Sequence, residues 1–114
     1  MVITGDWHST FVNDVLHDFD RPGSRVLATE FVTPAITSNG DGPVYGPYYG
    51  PFVPYNPHIR FFEGDRKGYF RVDLNHRRWA TDLRFVERVG APGAAVATHR
   101  SWVVEAGRPG AQPA

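Results

Sequence analysis

The sequence predicts an α+β fold, with one short helix near the N-terminus followed by an antiparallel β-meander. Three observations carry this reading. Phe11, Val12, Val15, Leu16 and Phe19 recur at roughly helical spacing. From Ile59 onward, apolar and polar residues alternate with period two through successive segments. Between these regions stands a Gly/Pro/Tyr-rich stretch in which glycines permit positive φ and prolines cannot donate to a ladder.

In chain order, Val2–Thr4 reads as a short buried strand ended by Gly5. Ser9 and Thr10 are candidate caps for the helix, and Asp20-Arg21-Pro22-Gly23-Ser24 supplies the turn that stops it. Val26–Val32 (VLATEFV) has few polar residues, the pattern of a strand covered on both faces. Pro34 to Pro57 is a long loop, and a loop of that length in a compact domain is commonly functional. Its tyrosines and Phe52 suit packing onto the protein. Ile59 to Phe62 and Gly68 to Leu74 are strands; in the latter, Tyr69, Arg71 and Asp73 alternate with Phe70, Val72 and Leu74. Arg78 to Val89 sets Trp79, Thr81, Leu83 and Phe85 on one face, and Thr98 to Glu105 is the last strand. Residues 107–114 carry no core-forming pattern and are expected to be irregular. The domain is therefore drawn over residues 1–106.

The 114 residues suit one domain or part of one. With 41% hydrophobic and 21% charged residues, disorder is excluded as the default. Twelve basic residues offset twelve acidic ones, so no net field points to nucleic acid or an anionic membrane. No apolar run is long enough to span a bilayer, and no signal peptide is visible. The absence of cysteine removes disulfides, thiolate ligands and Cys nucleophiles from this chain.

Asp6 and His8 follow directly on an apolar strand, where α/β-type sheets place ligands. In an extended segment, side chains at i and i+2 share a face, so a carboxylate and an imidazole converge on one cation. Taken alone, Asp-x-His reads equally as a helix cap beside an ordinary polar histidine. Asn13, Ser38, Asn39 and His58 are candidates for supporting or substrate-side roles. Asn13 and Asp14 also read as solvated or capping residues, and His58 as a packed loop histidine. Ser38-Asn39-Gly40-Asp41-Gly42 reads either as an anion cradle of backbone N–H groups or as a plain glycine turn. Glu30, in an apolar strand, requires a partner, and an arginine is the expected one.

A resemblance gathers these segments. Thr4-Gly5-Asp6-Trp7-His8-Ser9 with Asn13-Asp14, Ala28-Thr29-Glu30-Phe31-Val32, Ile36 to Gly42, Asn56-Pro57-His58 with Lys67-Gly68-Tyr69, and Ser101 to Gly110 stand in the order of matching motifs in PhoD-like (alkaline phosphatase D) metallophosphoesterases. The chain resembles the C-terminal portion of such an enzyme. The resemblance implies part of a metallophosphoesterase β-sandwich and hydrolysis of phosphomonoesters or phosphodiesters. It also implies an exported parent enzyme and a site containing iron and calcium. Carried over, Asp6 is a metal ligand, and His8 is an iron ligand or phosphate contact and the catalytic candidate. The family's other ligands lie in a missing N-terminal part. A cation pair there polarises the phosphoryl oxygen and activates water for attack. Two ligands do not hold a catalytic ion well, so the isolated chain is expected to be inactive. Two further readings are a non-catalytic β-rich module and a subunit whose site is completed by another chain.

Overall fold

The computed structural model describes residues 1–114 and contains two four-stranded sheets packed face to face. The first has strand order β1-β3-β2-β4, from β1 (Val2–Thr4), β2 (Thr10–Leu16), β3 (Val26–Val32) and β4 (Ile59–Glu63). β1 runs parallel to β3, and the other pairings are antiparallel. The second sheet is the expected meander: β5 (Gly68–Leu74), β6 (Arg78–Val86), β7 (Val96–Glu105) and β8 (Arg108–Pro113), each antiparallel to the next. Val12 and Phe31 from the first sheet meet Leu83, Phe85, Trp102 and Ala111 from the second in the core. Trp79 lies parallel to Phe31 across that core, with ring centroids 6.4 Å apart.

The expected N-terminal helix is instead β2. Thr10, Val12, Asp14 and Leu16 are buried alternately against half-buried Phe11, Asn13 and Val15. β-Branched residues favour this pleated state, whereas Asn and Asp are poor in helix interiors. The period of two is hidden because the inward face contains Asp14, paired at 3.0 Å with Arg60 of β4. Ser9 and Thr10 therefore cap nothing; both are buried where β2 begins. The turn at Asp20–Ser24 is present and joins β2 to β3 as a hairpin. It is held by the Asp18 carboxylate and by a Ser24 hydroxyl donating to the Asp18 carbonyl at 2.7 Å.

The single α-helix, α1 (Gly46–Tyr49), lies in the Pro/Gly/Tyr loop and continues into a 3₁₀ turn at Gly50–Tyr55. The Asp65 carboxylate accepts from the Val44 and Gly46 amides, each at 2.8 Å, and fixes the entry to α1. A Cβ at Gly46 would overlap that carboxylate, so only glycine fits there. The expectation that this loop packs on the protein holds only for half-buried Tyr45 and Tyr49; Tyr48, Phe52 and Tyr55 are exposed.

The C-terminal residues 107–114 are not irregular, because Arg108–Pro113 forms β8 against β7. Two prolines and one small apolar residue give no strand pattern, but β8 is an edge strand, where prolines need not pair. Gly107, at φ 77°, makes the reversal, and Ala111 is fully buried.

Candidate functional site

The turn from β1 into β2 carries Asp6, Trp7 and His8 beyond the C-terminal end of β1. It is not extended: Asp6 has φ 71° and His8 has φ 54°. The expected i, i+2 alternation on one face therefore does not apply. Only three non-glycine residues have positive φ, namely Asp6, His8 and Asn39. All three belong to the candidate set, and Asp, His and Asn are the types that enter this region most readily. Each such residue costs about 1–2 kcal/mol, and strain of this kind clusters at ligand sites.

His8 Nδ1 is buried with no hydrogen-bond partner, as are the hydroxyls of Ser9 and Thr10. The His8 ring meets the Tyr45 ring edge-on at 6.1 Å. Asn39 Nδ2 donates to the Tyr45 hydroxyl at 3.1 Å. Tyr45 stacks on Tyr49 at 5.4 Å, and Tyr49 meets Trp7 at 5.3 Å. The loop and the β1–β2 turn thus brace each other through aromatic rings, which links two candidates far apart in sequence, His8 and Asn39.

Asn13 and His58 lie elsewhere, along a groove of about 660 Å³ over the outward face of the first sheet. Trp7, Tyr48, Tyr49 and Phe52 form part of its wall, and Thr4, Asn13 and Glu30 also line it. Asn13 and Glu30 stand opposite one another in the β2–β3 pairing. Glu30 has no arginine partner, contrary to expectation. Its two carboxylate oxygens accept from Thr4 Oγ1 and Asn13 Nδ2, each at 2.9 Å. A helix over these residues would not set Asn13 against β3; as a strand, β2 brings Asn13 across from Glu30. His58 packs edge-on to Phe19 at 5.1 Å.

Ser38 is exposed. Its loop is a turn in which the Gly40 amide donates to the Thr37 carbonyl at 3.0 Å. Asp41 latches the turn to the second sheet by accepting from the Val89 and Gly90 amides at 2.7 and 2.8 Å. The arrangement accords with the plain-turn reading of the glycine segment.

The perturbed titrations lie outside both places. Asp82 is held below the usual carboxylate range, first by the Ser101 hydroxyl and then by Arg71. His99 is pushed down by desolvation between the Phe61 and Phe85 rings and by the neighbouring Arg66.

Iron and calcium fit these residues in part. An exposed Asp6 carboxylate suits a hard cation, and an unpartnered buried imidazole nitrogen suits a transition metal. No three or more His, Cys, Asp or Glu side chains gather to hold an ion within the chain.

Comparison with known proteins decides the family. A family model described as PhoD-like phosphatase matches residues 1–83. The chain belongs to the PhoD-like phosphatases. Alkaline phosphatase D of Bacillus subtilis (strain 168) is 35% identical over 105 residues, which is 92% of this chain and 18% of that protein. A solved structure of PhoD superposes with a TM-score of 0.85 at 33% identity, covering 98% of this chain and 21% of that one. The chain thus spans about a fifth of the length of the PhoD-like proteins it matches. The mostly β architecture with one short helix is that of this family. No helix is long and apolar enough to cross a membrane.

Proposed function

We propose that this chain is the C-terminal portion of a PhoD-like phosphatase and contributes Asp6 and His8 to a metal site whose remaining ligands come from outside these 114 residues. The observation that supports this best is the β1–β2 turn. It holds two metal-competent side chains in left-handed conformations and leaves His8 Nδ1 buried without a partner. His8 is the catalytic candidate, as an iron ligand or a contact to phosphate, and Asp6 is a calcium or bridging ligand. Bound cations supply the charge that polarises a phosphoryl group and acidifies an attacking water. The substrates are phosphomonoesters or phosphodiesters, and the enzyme is exported. Asn39 steadies the turn through Tyr45. Asn13, through Glu30, and His58, packed on Phe19, are supporting residues on the neighbouring sheet face, and Ser38 stands at its loop without a contact that assigns it more.

The ligand count implies that the chain alone has no substantial activity. Purified chain incubated with nitrophenyl phosphate, iron and calcium is expected to release no nitrophenol above the metal blank. Turnover that disappears in His8→Ala would instead mean that these residues suffice. A non-catalytic binding module is favoured by one observation, the aromatic groove, whose lining includes Trp7 but neither Asp6 nor His8.

A further inference from the structure

We propose that the groove over the outward face of the first sheet is a binding site for a primary alkylammonium cation, with Glu30 taking the ammonium and the aromatic wall taking the carbon chain. The groove has the volume of a small-molecule site. Its lining contains one carboxylate, Glu30, and no Lys or Arg. Glu30 forms no ion pair, and His58, the lining's one histidine, does not reach it. A half-buried carboxylate whose only partners are a neutral hydroxyl and a neutral amide has its geometry fixed and its charge uncompensated.

The acceptor count favours a donor-bearing cation. A carboxylate offers about four lone-pair positions, and Thr4 and Asn13 fill two. The Asn13 amide is oriented by donating Nδ2 to Glu30, which leaves Oδ1 buried with no donor of its own. The walls suit the rest of the ligand. Trp7 is 54% exposed and Phe52 60% exposed although both line a concavity. Aromatic faces attract ammonium groups and cover methylenes. A primary ammonium also supplies N–H donors for charge-assisted bonds to Glu30, which a quaternary one cannot.

The site needs no metal, so its test is independent of the phosphatase reading. The full chain is titrated with n-hexylammonium, n-hexanol and hexyltrimethylammonium at fixed ionic strength, following the fluorescence of the exposed Trp7. Hexylammonium is expected to bind about tenfold or more tightly than either comparator, the scale of one charge-assisted hydrogen bond. Glu30→Gln, which keeps the side-chain shape, is expected to abolish that preference while hexanol binding persists. Equal affinities for hexylammonium and hexanol would overturn the proposal, because the groove would then be merely apolar. Equal affinities for the two cations would overturn the assignment to a donor-bearing ammonium. Since the three-ligand comparison is made on the unaltered chain, it decides the matter even where Glu30→Gln fails to fold.

Discussion

Side-chain partners separate structural carboxylates from candidate ligands. Asp82 on β6 accepts from Ser101 at 2.6 Å and from Arg71 on the opposite neighbouring strand, so it ties three strands on the outer face of the second sheet. Its folded-state pKa lies below the ordinary aspartate value of 3.8. Folding therefore favours the ionised form. The stabilisation is fully present above pH 4 or so and is lost as pH falls through the folded-state pKa. Ser101→Ala removes the largest cause of the shift. It is expected to cost about 1 kcal/mol or less near neutrality, solvent screening included, and to flatten the acid limb of a urea-midpoint profile. An unchanged acid limb would contradict this account. Asp14 is likewise committed, to Arg60. Asp6 differs in kind: it is exposed in a strained turn beside an unpartnered His8 nitrogen, the condition expected of groups that await a ligand.

Elements whose burial follows their own sequence pattern were legible, and those whose burial depends on distant partners were not. β3 and β5 are found over the expected residues, because VLATEFV and GYFRVDL declare their period locally. The positions of Trp79, Thr81, Leu83 and Phe85 on one face of β6 are likewise as read. β2 misleads because Asp14 occupies an inward position that only Arg60, 46 residues away in sequence, makes tolerable. β8 misleads because its contribution is one alanine under an edge strand. The candidate site divides the same way. The Asp6–His8 turn is visible as a motif, whereas the Glu30 network and the His8–Tyr45–Asn39 relay need the fold. Ala111 tests the reading of β8. A leucine there must intrude among Trp102, Val12 and Phe31, so Ala111→Leu is expected to destabilise by about 1–3 kcal/mol in chemical denaturation. If residues 107–114 were irregular in solution, the substitution would be silent.

At the scale of the molecule, the sandwich is unevenly covered. Phe70 on β5 packs against Phe31, but Val72 and Leu74, on the same face further along, are 37% and 64% exposed. β5 is the edge of its sheet, so its apolar face outruns the opposing layer. On the first sheet, Val2 and Ile3 of the edge strand β1 and Leu27 of its neighbour β3 are exposed as well. Apolar side chains beside unpaired strand edges invite association. Family members carry roughly four times as much additional sequence, on the order of what would cover such surfaces. Alone, this chain is expected to self-associate, with an apparent mass in sedimentation that rises with concentration. Val72→Lys with Leu74→Lys should shift that curve toward the monomer without lowering the unfolding midpoint, because neither side chain is in the core. A concentration-independent monomer with a sharp two-state melt would show that the exposed faces are tolerated and that the chain is self-sufficient as a fold.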